Sequence, residues 1–261
     1  MSRALAVVVA HPDDDTFGVT GTAALHEHDP RFELTAVLLT SGDAGEIADP
    51  SLATPETLGR VREAEDRASW AALGVVPARH EFLRYRDGFL PEADREEVVS
   101  RIASILREQR PDVVVTFGPE GITEHVDHVR TGELATEAFH RVREEGGGGL
   151  RRLLYNAVPE SRLRWFSERL VERGMDPIDS SQPYQPRGVP DDSIDVEVDC
   201  SAVWRRKLAA LREHKTQGGS EAFPEDLLAD MLSGEWFSQA WPERHAGAPV
   251  LRSVFEDLDP P

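Results

Sequence analysis

Two clusters of histidine and aspartate in the sequence could together hold a metal ion. The first cluster, HPDDD, occupies residues 11–15 and directly follows an apolar run. The second, GPEGITEHVDH, occupies residues 118–128, also follows an apolar run, and contains His125, Asp127 and His128. Two imidazoles and one carboxylate from such clusters leave a fourth coordination position open, as catalytic zinc requires. The clusters therefore predict a catalytic metal site.

The apolar runs before these clusters predict the strands that would carry them. Residues 5–10, 33–40 and 111–117 are short, rich in β-branched residues, and typical of strands buried on both faces of a parallel sheet. Between these runs, residues 58–73 and 98–106 have apolar positions at helical spacing. The alternation predicts an α/β fold with a mostly parallel sheet flanked by helices. Because the carboxyl ends of parallel strands share one edge, both clusters are expected at that edge.

The pattern weakens after residue 145. Residues 153–158 predict one more strand and residues 194–198 an edge strand, whereas residues 180–192, rich in Pro, Ser and Asp, predict a long loop. Residues 202–214 predict a helix. The stretch after this helix is predicted to be an irregular extension that contains three clustered aromatic residues, Trp236, Phe237 and Trp241.

The length of the chain favours a single domain. Its 261 residues have a mass of 29.0 kDa, which is enough for one large core. We expect residues 1–145 to form the α/β core of one domain that spans residues 1–261. Two variable segments, at about residues 160–192 and 218–245, are expected to face the substrate.

Composition limits the classes of partner. The chain has 29 Lys and Arg against 48 Asp and Glu, a formal net charge of −19, which disfavours nucleic acid and anionic membranes as partners. Cys200 is the only cysteine, which excludes an internal disulfide and a multi-cysteine zinc site. The first apolar run ends in His and Asp rather than a cleavage site, and no run reaches the roughly 18–20 residues of a membrane helix. These features predict a cytoplasmic protein; they leave homo-oligomerisation open.

Several motifs, taken in order, resemble one enzyme family. They are AHPDDD, LLTSGDAGEI, VREAEDRASWAALGV, YRDG, GPEGITEHVDH and LREHKTQ, between Ala10 and Gln217. This series is similar to the PIG-L/LmbE-like N-acetylglucosaminyl deacetylases, which include the deacetylases of mycothiol and bacillithiol biosynthesis and the mycothiol-conjugate amidases. The resemblance implies a Rossmann-like sheet and one metal ion held by two His and one Asp. That donor set suits Zn²⁺, and Fe²⁺ as well.

The resemblance also implies roles for the residues of the first cluster. His11 and Asp14, with His128 from the second cluster, would ligate the metal, and Asp13 would be the general base that deprotonates the attacking water. A second interpretation of Asp13 is that it only caps the following helix. The family often has Glu at the position of Asp15, a departure that removes no ligand.

The second cluster would supply the residue across the site from the base. His125 would stabilise the oxyanion or protonate the leaving amine, and Asp127 would hold His125 or His128 in orientation. Val126 stands where the family commonly has Pro. Thr123 stands where some sugar deacetylases have an aromatic residue, so no gating role is carried over to it.

Other motif residues match positions that contact sugar hydroxyls in family members. A forked Arg donor and a carboxylate acceptor, here Arg62 and Asp87, suit vicinal diols. Glu65 is expected to position Arg62. His214 matches a family motif near the site, with capping of the helix before it as the alternative.

The predicted function is zinc-dependent hydrolysis of an N-acetyl or other N-acyl amide in a small amino sugar or glycoconjugate. A mycothiol-conjugate-type amidase and an antibiotic or secondary-metabolite N-deacylase are the alternatives within the family. A dinucleotide-binding enzyme is disfavoured because HPDDDTFG contains no G-x-G-x-x-G and its carboxylates would repel a pyrophosphate. A metal phosphoesterase and a non-catalytic binding module are the other rivals.

Overall fold

Seven strands of the described chain form one sheet. The computed structural model describes residues 3–218, 223–245 and 247–258. The strands are β1 (Arg3–Val9), β2 (Phe32–Thr40), β3 (Arg79–Tyr85), β4 (Val113–Phe117), β5 (Arg152–Ala157), β6 (Val196–Asp199) and β7 (Gly234–Trp241). The helices are α1 (Asp14–His26), α2 (Leu58–Leu73), α3 (Arg95–Gln109), α4 (Gly121–Glu124), α5 (Val126–Glu144), α6 (Glu160–Glu172), α7 (Trp204–Leu211) and α8 (Glu225–Leu232).

The strand order identifies one crevice at the carboxyl ends of the central strands. The order is β3-β2-β1-β4-β5-β7-β6. Strands β1 to β5 pair in parallel, and β7 runs antiparallel to both β5 and β6. The chain builds outward from β1 to β3 and then returns to place β4 on the other side of β1. The winding therefore reverses between the carboxyl ends of β1 and β4, which is where open α/β sheets bind ligands. The predicted α/β class with a mostly parallel sheet is confirmed.

Helices cover both faces of the sheet. The helices α1, α2 and α7 pack against one another, and α3 packs on α5; right-handed crossovers place these two groups on opposite faces. All five residues of β4 are buried, as the continuous apolar run predicts. Gly132 lets α5 approach β4 closely, because a Cβ atom at this position would lie 2.4 Å from the Phe117 carbonyl oxygen. This contact holds the second turn of α5 beside the end of β4.

The C-terminal part differs from the sequence prediction. The helix predicted at residues 58–73 is confirmed as α2, but the stretch predicted to be irregular contains strand β7. Glu235, the second residue of β7, is buried and accepts hydrogen bonds from the Gly21 amide at 2.6 Å, the Thr22 amide at 2.9 Å and Lys207 Nζ at 2.7 Å. These contacts with α1 and α7 fix a strand that has little local signal.

The sequence pattern also fails to predict β3. This edge strand contains Arg, His and Glu, and it lacks the continuous apolar run of its neighbours. Residues 219–222, within the predicted variable segment 218–245, lie outside the described residues. No helix in the described part of the chain is long and apolar enough to cross a membrane.

Candidate metal centre and catalytic residues

The turn after β1 presents two neighbouring carboxylates to different partners. Asp14 opens α1, and its carboxylate accepts a hydrogen bond from the backbone amide of His11 at 2.8 Å. Asp13 has a φ of 115°, a backbone conformation that residues with a side chain rarely adopt. This turn directs Asp14 to the histidines of the site and Asp13 to Arg62.

The three predicted ligands meet at one point between β1 and β4. His11 Nδ1 lies 3.2 Å from His128 Nε2 and 3.4 Å from Asp14 Oδ2, and His128 Nε2 lies 3.3 Å from Asp14 Oδ1. Ligand atoms bound tetrahedrally to one zinc ion at about 2.0–2.2 Å would be about 3.3–3.6 Å apart. The observed spacing and the His₂Asp donor set therefore fit a divalent metal ion.

The atoms around the two histidines fix which nitrogen of each ring faces the ligand point. His11 Nε2 lies 3.0 Å from Asp87 Oδ1 and 3.4 Å from Asp127 Oδ2. His128 Nδ1 lies 2.9 Å from the Gly121 carbonyl oxygen, to which it donates. Each imidazole thus bonds an acceptor through one nitrogen, which leaves the other as a lone-pair donor for a metal.

The surroundings of Asp14 and His128 favour the ionised carboxylate and the neutral imidazole, which are the forms that bind a metal. Burial raises the pKa of the Asp14 carboxyl, but the nearby His128 and His11 outweigh burial and hold that pKa well below its usual range. Burial lowers the pKa of His128, which favours the neutral imidazole. The Phe117 ring stacks on His128 with centroids 4.3 Å apart and planes at 6°, which restricts the rotation of the ligand ring.

The buried Arg62 holds the partly exposed side chain of Asp13 in place. Its Nη2 donates to the Pro12 carbonyl oxygen at 2.7 Å and to Asp13 Oδ2 at 3.2 Å, and its Nη1 donates to the Gly42 carbonyl oxygen at 3.0 Å. Arg62 is only 4% exposed. Burial raises the pKa of the Asp13 carboxyl above its ordinary value, and the positive charge of Arg62 opposes that rise. The contacts of Arg62 within the protein are those of a residue that positions Asp13, and its predicted contact with sugar stays a prediction.

We expect Arg62→Lys to lower kcat by about tenfold, because the single nitrogen of lysine cannot reproduce the guanidinium fork whose two nitrogens serve these acceptors. The stability loss should be about 1–3 kcal/mol, since buried carbonyl groups lose their donor. Steady-state kinetics and thermal unfolding measure both. Arg60→Lys on the exposed part of the same helix is the matched control. A change confined to KM would instead favour the predicted sugar contact.

His125 has a fixed tautomer because it caps α5. Its Nδ1 accepts a hydrogen bond from the Asp127 backbone amide at 3.2 Å. A backbone amide can only donate, so Nδ1 carries the lone pair and Nε2 carries the proton of the neutral ring. Burial lowers the pKa of His125. Its ring centroid lies 4.8 Å from that of His11, so the neutral ring brings an N–H donor to the edge of the metal site.

Asp127 contacts two histidines of the site through different groups. Its buried carboxylate accepts hydrogen bonds from the backbone amides of Gly88 at 2.7 Å and Leu90 at 3.0 Å, and it lies 3.4 Å from His11 Nε2. The predicted hold on His125 thus comes from the backbone amide of Asp127, which donates to His125 Nδ1 at 3.2 Å. The carboxylate instead faces His11 and two amides of the segment after β3. Asp127 and Asp87 together hold His11.

Three other residues of the family motifs also bind within the protein. Glu65 accepts hydrogen bonds from the Thr216 amide at 2.8 Å and hydroxyl at 2.5 Å, so it anchors the HKTQ segment rather than Arg62. His214 Nε2 lies 2.9 Å from Thr16 Oγ1, and burial lowers the pKa of His214 to about 3. Asp87 accepts from the Ala44 amide at 2.8 Å besides contacting His11, and it is 6% exposed.

A second group of titratable side chains lies behind the site. Asp15, Asp66 and His80 have ligand atoms within 4.8 Å of one another. His80 Nε2 lies only 2.6 Å from Asp66 Oδ2, which is closer than two ligands of one metal ion and shows direct contact between the two side chains. Trp70 Nε1 donates to Asp15 Oδ2 at 2.7 Å. This group therefore connects α1, α2 and β3.

Tyr184 lies outside the sequence motifs, yet its ring centroid lies 5.1 Å from that of His125. Tyr184 belongs to the loop predicted at residues 180–192, and the structure contains no helix or strand between Glu172 and Asp191. An aromatic residue in a loop rich in Pro and Ser was the available signal. Its position next to His125 depends on how the loop folds back over α4.

A family model and curated relatives match this chain. The model, described as "PIG-L: GlcNAc-PI de-N-acetylase", covers residues 6–139. Proteins from Kineococcus radiotolerans and Geodermatophilus obscurus, both named 1D-myo-inositol 2-acetamido-2-deoxy-alpha-D-glucopyranoside deacetylase, are 31% and 32% identical to it. Each alignment covers 93% of this chain, with 76% and 94% of the respective relative.

A solved structure of a deacetylase is similar to this chain in both fold and sequence. The N,N'-diacetylchitobiose deacetylase from Pyrococcus horikoshii is 26% identical, with a TM-score of 0.60 over 99% of this chain and 89% of its own. The fold, the meeting of the HPDDD and HVDH clusters and the sequence matches thus agree with one another. The chain belongs to the PIG-L family, whose model is described as a GlcNAc-PI de-N-acetylase.

Proposed function

We propose that this protein is a zinc-dependent N-deacetylase that removes the acetyl group from a small amino sugar. The observation that carries the proposal is the convergence of His11, Asp14 and His128 at spacings of 3.2–3.4 Å, with Asp13 and His125 beside them. The two relatives named as deacetylases of an acetamido sugar support both the acetyl group and the sugar.

The donor set supports one bound metal ion per chain. His11 Nδ1, His128 Nε2 and an Asp14 oxygen would hold one Zn²⁺ per chain, and the same set suits Fe²⁺. Such an ion lowers the pKa of water to about 7 and polarises a carbonyl group. Asp87, Asp127 and the Gly121 carbonyl oxygen keep the two imidazoles in the ligating tautomers.

Asp13 and His125 perform the proton transfer and the charge stabilisation. Asp13 accepts a proton from the attacking water, with Arg62 holding its carboxylate in place. His125 donates its Nε2–H to the carbonyl oxygen as negative charge develops there. The proton on Asp13 then passes to the leaving nitrogen, the C–N bond breaks, and acetate and the free amine are released. Because the capping bond of His125 Nδ1 fixes the donor on Nε2, this arrangement needs no rearrangement of the ring.

Release of acetate and amine tests the proposed function directly. Purified protein loaded with one equivalent of zinc is incubated with N-acetylglucosamine, N,N'-diacetylchitobiose, an inositol-linked N-acetylglucosamine and an acetylated thiol conjugate of glucosamine. We expect stoichiometric acetate and primary amine from at least one sugar, and no turnover after chelation. Zinc binding with no amide cleaved across this panel would contradict the proposal and favour a binding module.

We expect His125→Ala to lower kcat by about 10²- to 10³-fold, the usual cost of losing one donor to an oxyanion, while zinc stays bound. Activity and metal analysis on the same sample measure this. His125→Asn separates the two roles of the residue, because asparagine can still cap α5 but lacks the reach of the imidazole. The Asn variant should recover stability without recovering kcat. Loss of zinc from either variant would make His125 a ligand.

A further inference from the structure

Tyr184 lies beside the catalytic residues although it comes from a distant part of the chain. Its ring centroid is 5.1 Å from that of His125, with the two planes at 38°. Tyr184 is 66% exposed. Within residues 3–218, 223–245 and 247–258, no group makes a hydrogen bond to its hydroxyl. The aromatic face and the hydroxyl are therefore free to contact a molecule bound next to His125.

Arg187 connects the loop that contains Tyr184 to helix α4. Its backbone amide donates to the Ile122 carbonyl oxygen at 2.6 Å, and its Nη2 contacts Glu124 Oε2 at 2.9 Å, both in α4. The same guanidinium donates to the carbonyl oxygens of Gln182 and Gln185, at 3.4 Å each, on either side of Tyr184. One arginine thus sets the position of the tyrosine relative to the residues that precede His125.

The backbone of Tyr184 is strained without a gain in burial. Its φ is 60°, in the left-handed region where a bulky residue is an outlier. A side chain that remains two-thirds exposed recovers little free energy from packing. Strain of this kind persists where it places a side chain for function, and a glycine would relieve it.

We propose that Tyr184 determines substrate specificity by stacking on the apolar face of the sugar ring that carries the amide. This inference rests on the proposed N-deacetylase function. An acetyl group has only one carbon beyond the carbonyl, so it ends at the reaction centre. The part of the substrate that extends past His125 to Tyr184 is therefore the sugar ring that bears the amine. A pyranose presents C–H bonds on one face, which fits an aromatic ring, and hydroxyls at its edge, which fit the phenol.

The test compares substrates with and without a ring. N-acetylglucosamine and the acyclic N-acetylethanolamine share the acetamide and a nearby hydroxyl, but only the first has a pyranose face. We expect Tyr184→Ala to raise KM for N-acetylglucosamine by about 3- to 10-fold, with kcat within twofold and zinc content unchanged. kcat/KM for N-acetylethanolamine should not change. Tyr184→Phe keeps the ring and should stay close to the parent protein.

Two further variants separate a specificity role from a structural one. Tyr184→Gly removes the ring and the strain together, so it should raise KM as Tyr184→Ala does while unfolding at an equal or higher temperature. Arg187→Gln should raise KM in the same direction, and it should add little in the Tyr184→Ala background if it acts through the tyrosine. Val76→Ala is the control, because Val76 is an exposed apolar residue just before the edge strand β3.

The outcomes distinguish this inference from the proposed function. A parent protein that cleaves neither acetamide, nor any sugar of the panel above, overturns both. A parent protein that cleaves N-acetylglucosamine, with unchanged KM in Tyr184→Ala, overturns the role of Tyr184 alone. Equal losses on the cyclic and acyclic substrates would also overturn it, because they would mean that Tyr184 acts on His125 rather than on the sugar.

Discussion

Asp13→Asn is expected to lower kcat by about 10²- to 10⁴-fold, the usual contribution of a general base, while the protein binds zinc as the parent does. Asparagine keeps the shape of the side chain and can still hydrogen-bond to water, but it cannot accept a proton. The Asp13 carboxylate contacts Arg62 rather than His11 or His128, so its replacement should leave the ligand set intact. Released acetate and metal content on one sample give both quantities.

The structure also weighs against the alternative that Asp13 is only a helix cap. Asp13 occupies the N-cap position of α1, but its side chain makes no capping hydrogen bond, and its φ of 115° is far from the extended backbone of an ordinary cap. Asparagine tolerates left-handed backbone well, so Asp13→Asn should fold normally. Near-parental turnover in the fully zinc-loaded variant would mean that another group takes the proton.

Removal of one metal ligand is expected to have the largest effect of all. His11→Ala, Asp14→Ala or His128→Ala leaves two protein ligands, and a site of two ligands with an unfilled space should lose zinc at neutral pH. Activity should fall to background in each variant. In Asp14→Ala the His11 amide also loses its acceptor, so we expect this variant to be the least stable of the three.

His140→Ala is the matched control for the ligand variants. His140 lies on α5, the helix that carries His128, and its ring packs against Phe139 and Trp241 away from the site. This variant should retain one zinc per chain and full activity. Elemental analysis after extensive dialysis decides the assignment. Full zinc content in a dialysed ligand variant would remove that residue from the proposed set.

The sheet and the meeting of the two His/Asp clusters could be predicted from the sequence because their signals are local. A continuous apolar run such as β4 indicates a strand buried on both faces. The polar residues that follow such a strand must lie at its carboxyl end. Parallel strands bring these ends to one edge, so the HPDDD and HVDH clusters could be placed together before any contact was known, and the family resemblance singled out His11, Asp14 and His128 within them.

The partners of the buried charges depended on the tertiary structure. Asp127 contacts amides from the segment after β3, and Arg62 contacts carbonyl groups from two separate turns. Residue type and spacing within a motif do not determine such pairs, because each pair joins segments that are far apart along the chain. For the same reason β7 and its residue Glu235 had no reliable local signal.

The sequence by itself thus determined the class of fold and the shared location of the two His/Asp clusters, since hydrophobic periodicity and clustered polar residues are properties of short segments. Only the tertiary structure decided which nitrogen of each histidine faces the metal site and that Tyr184 stands beside His125. These features depend on distances of a few ångströms between segments that lie far apart in the sequence; His11 and His128 are 117 residues apart. Only the packing of the whole chain sets such distances.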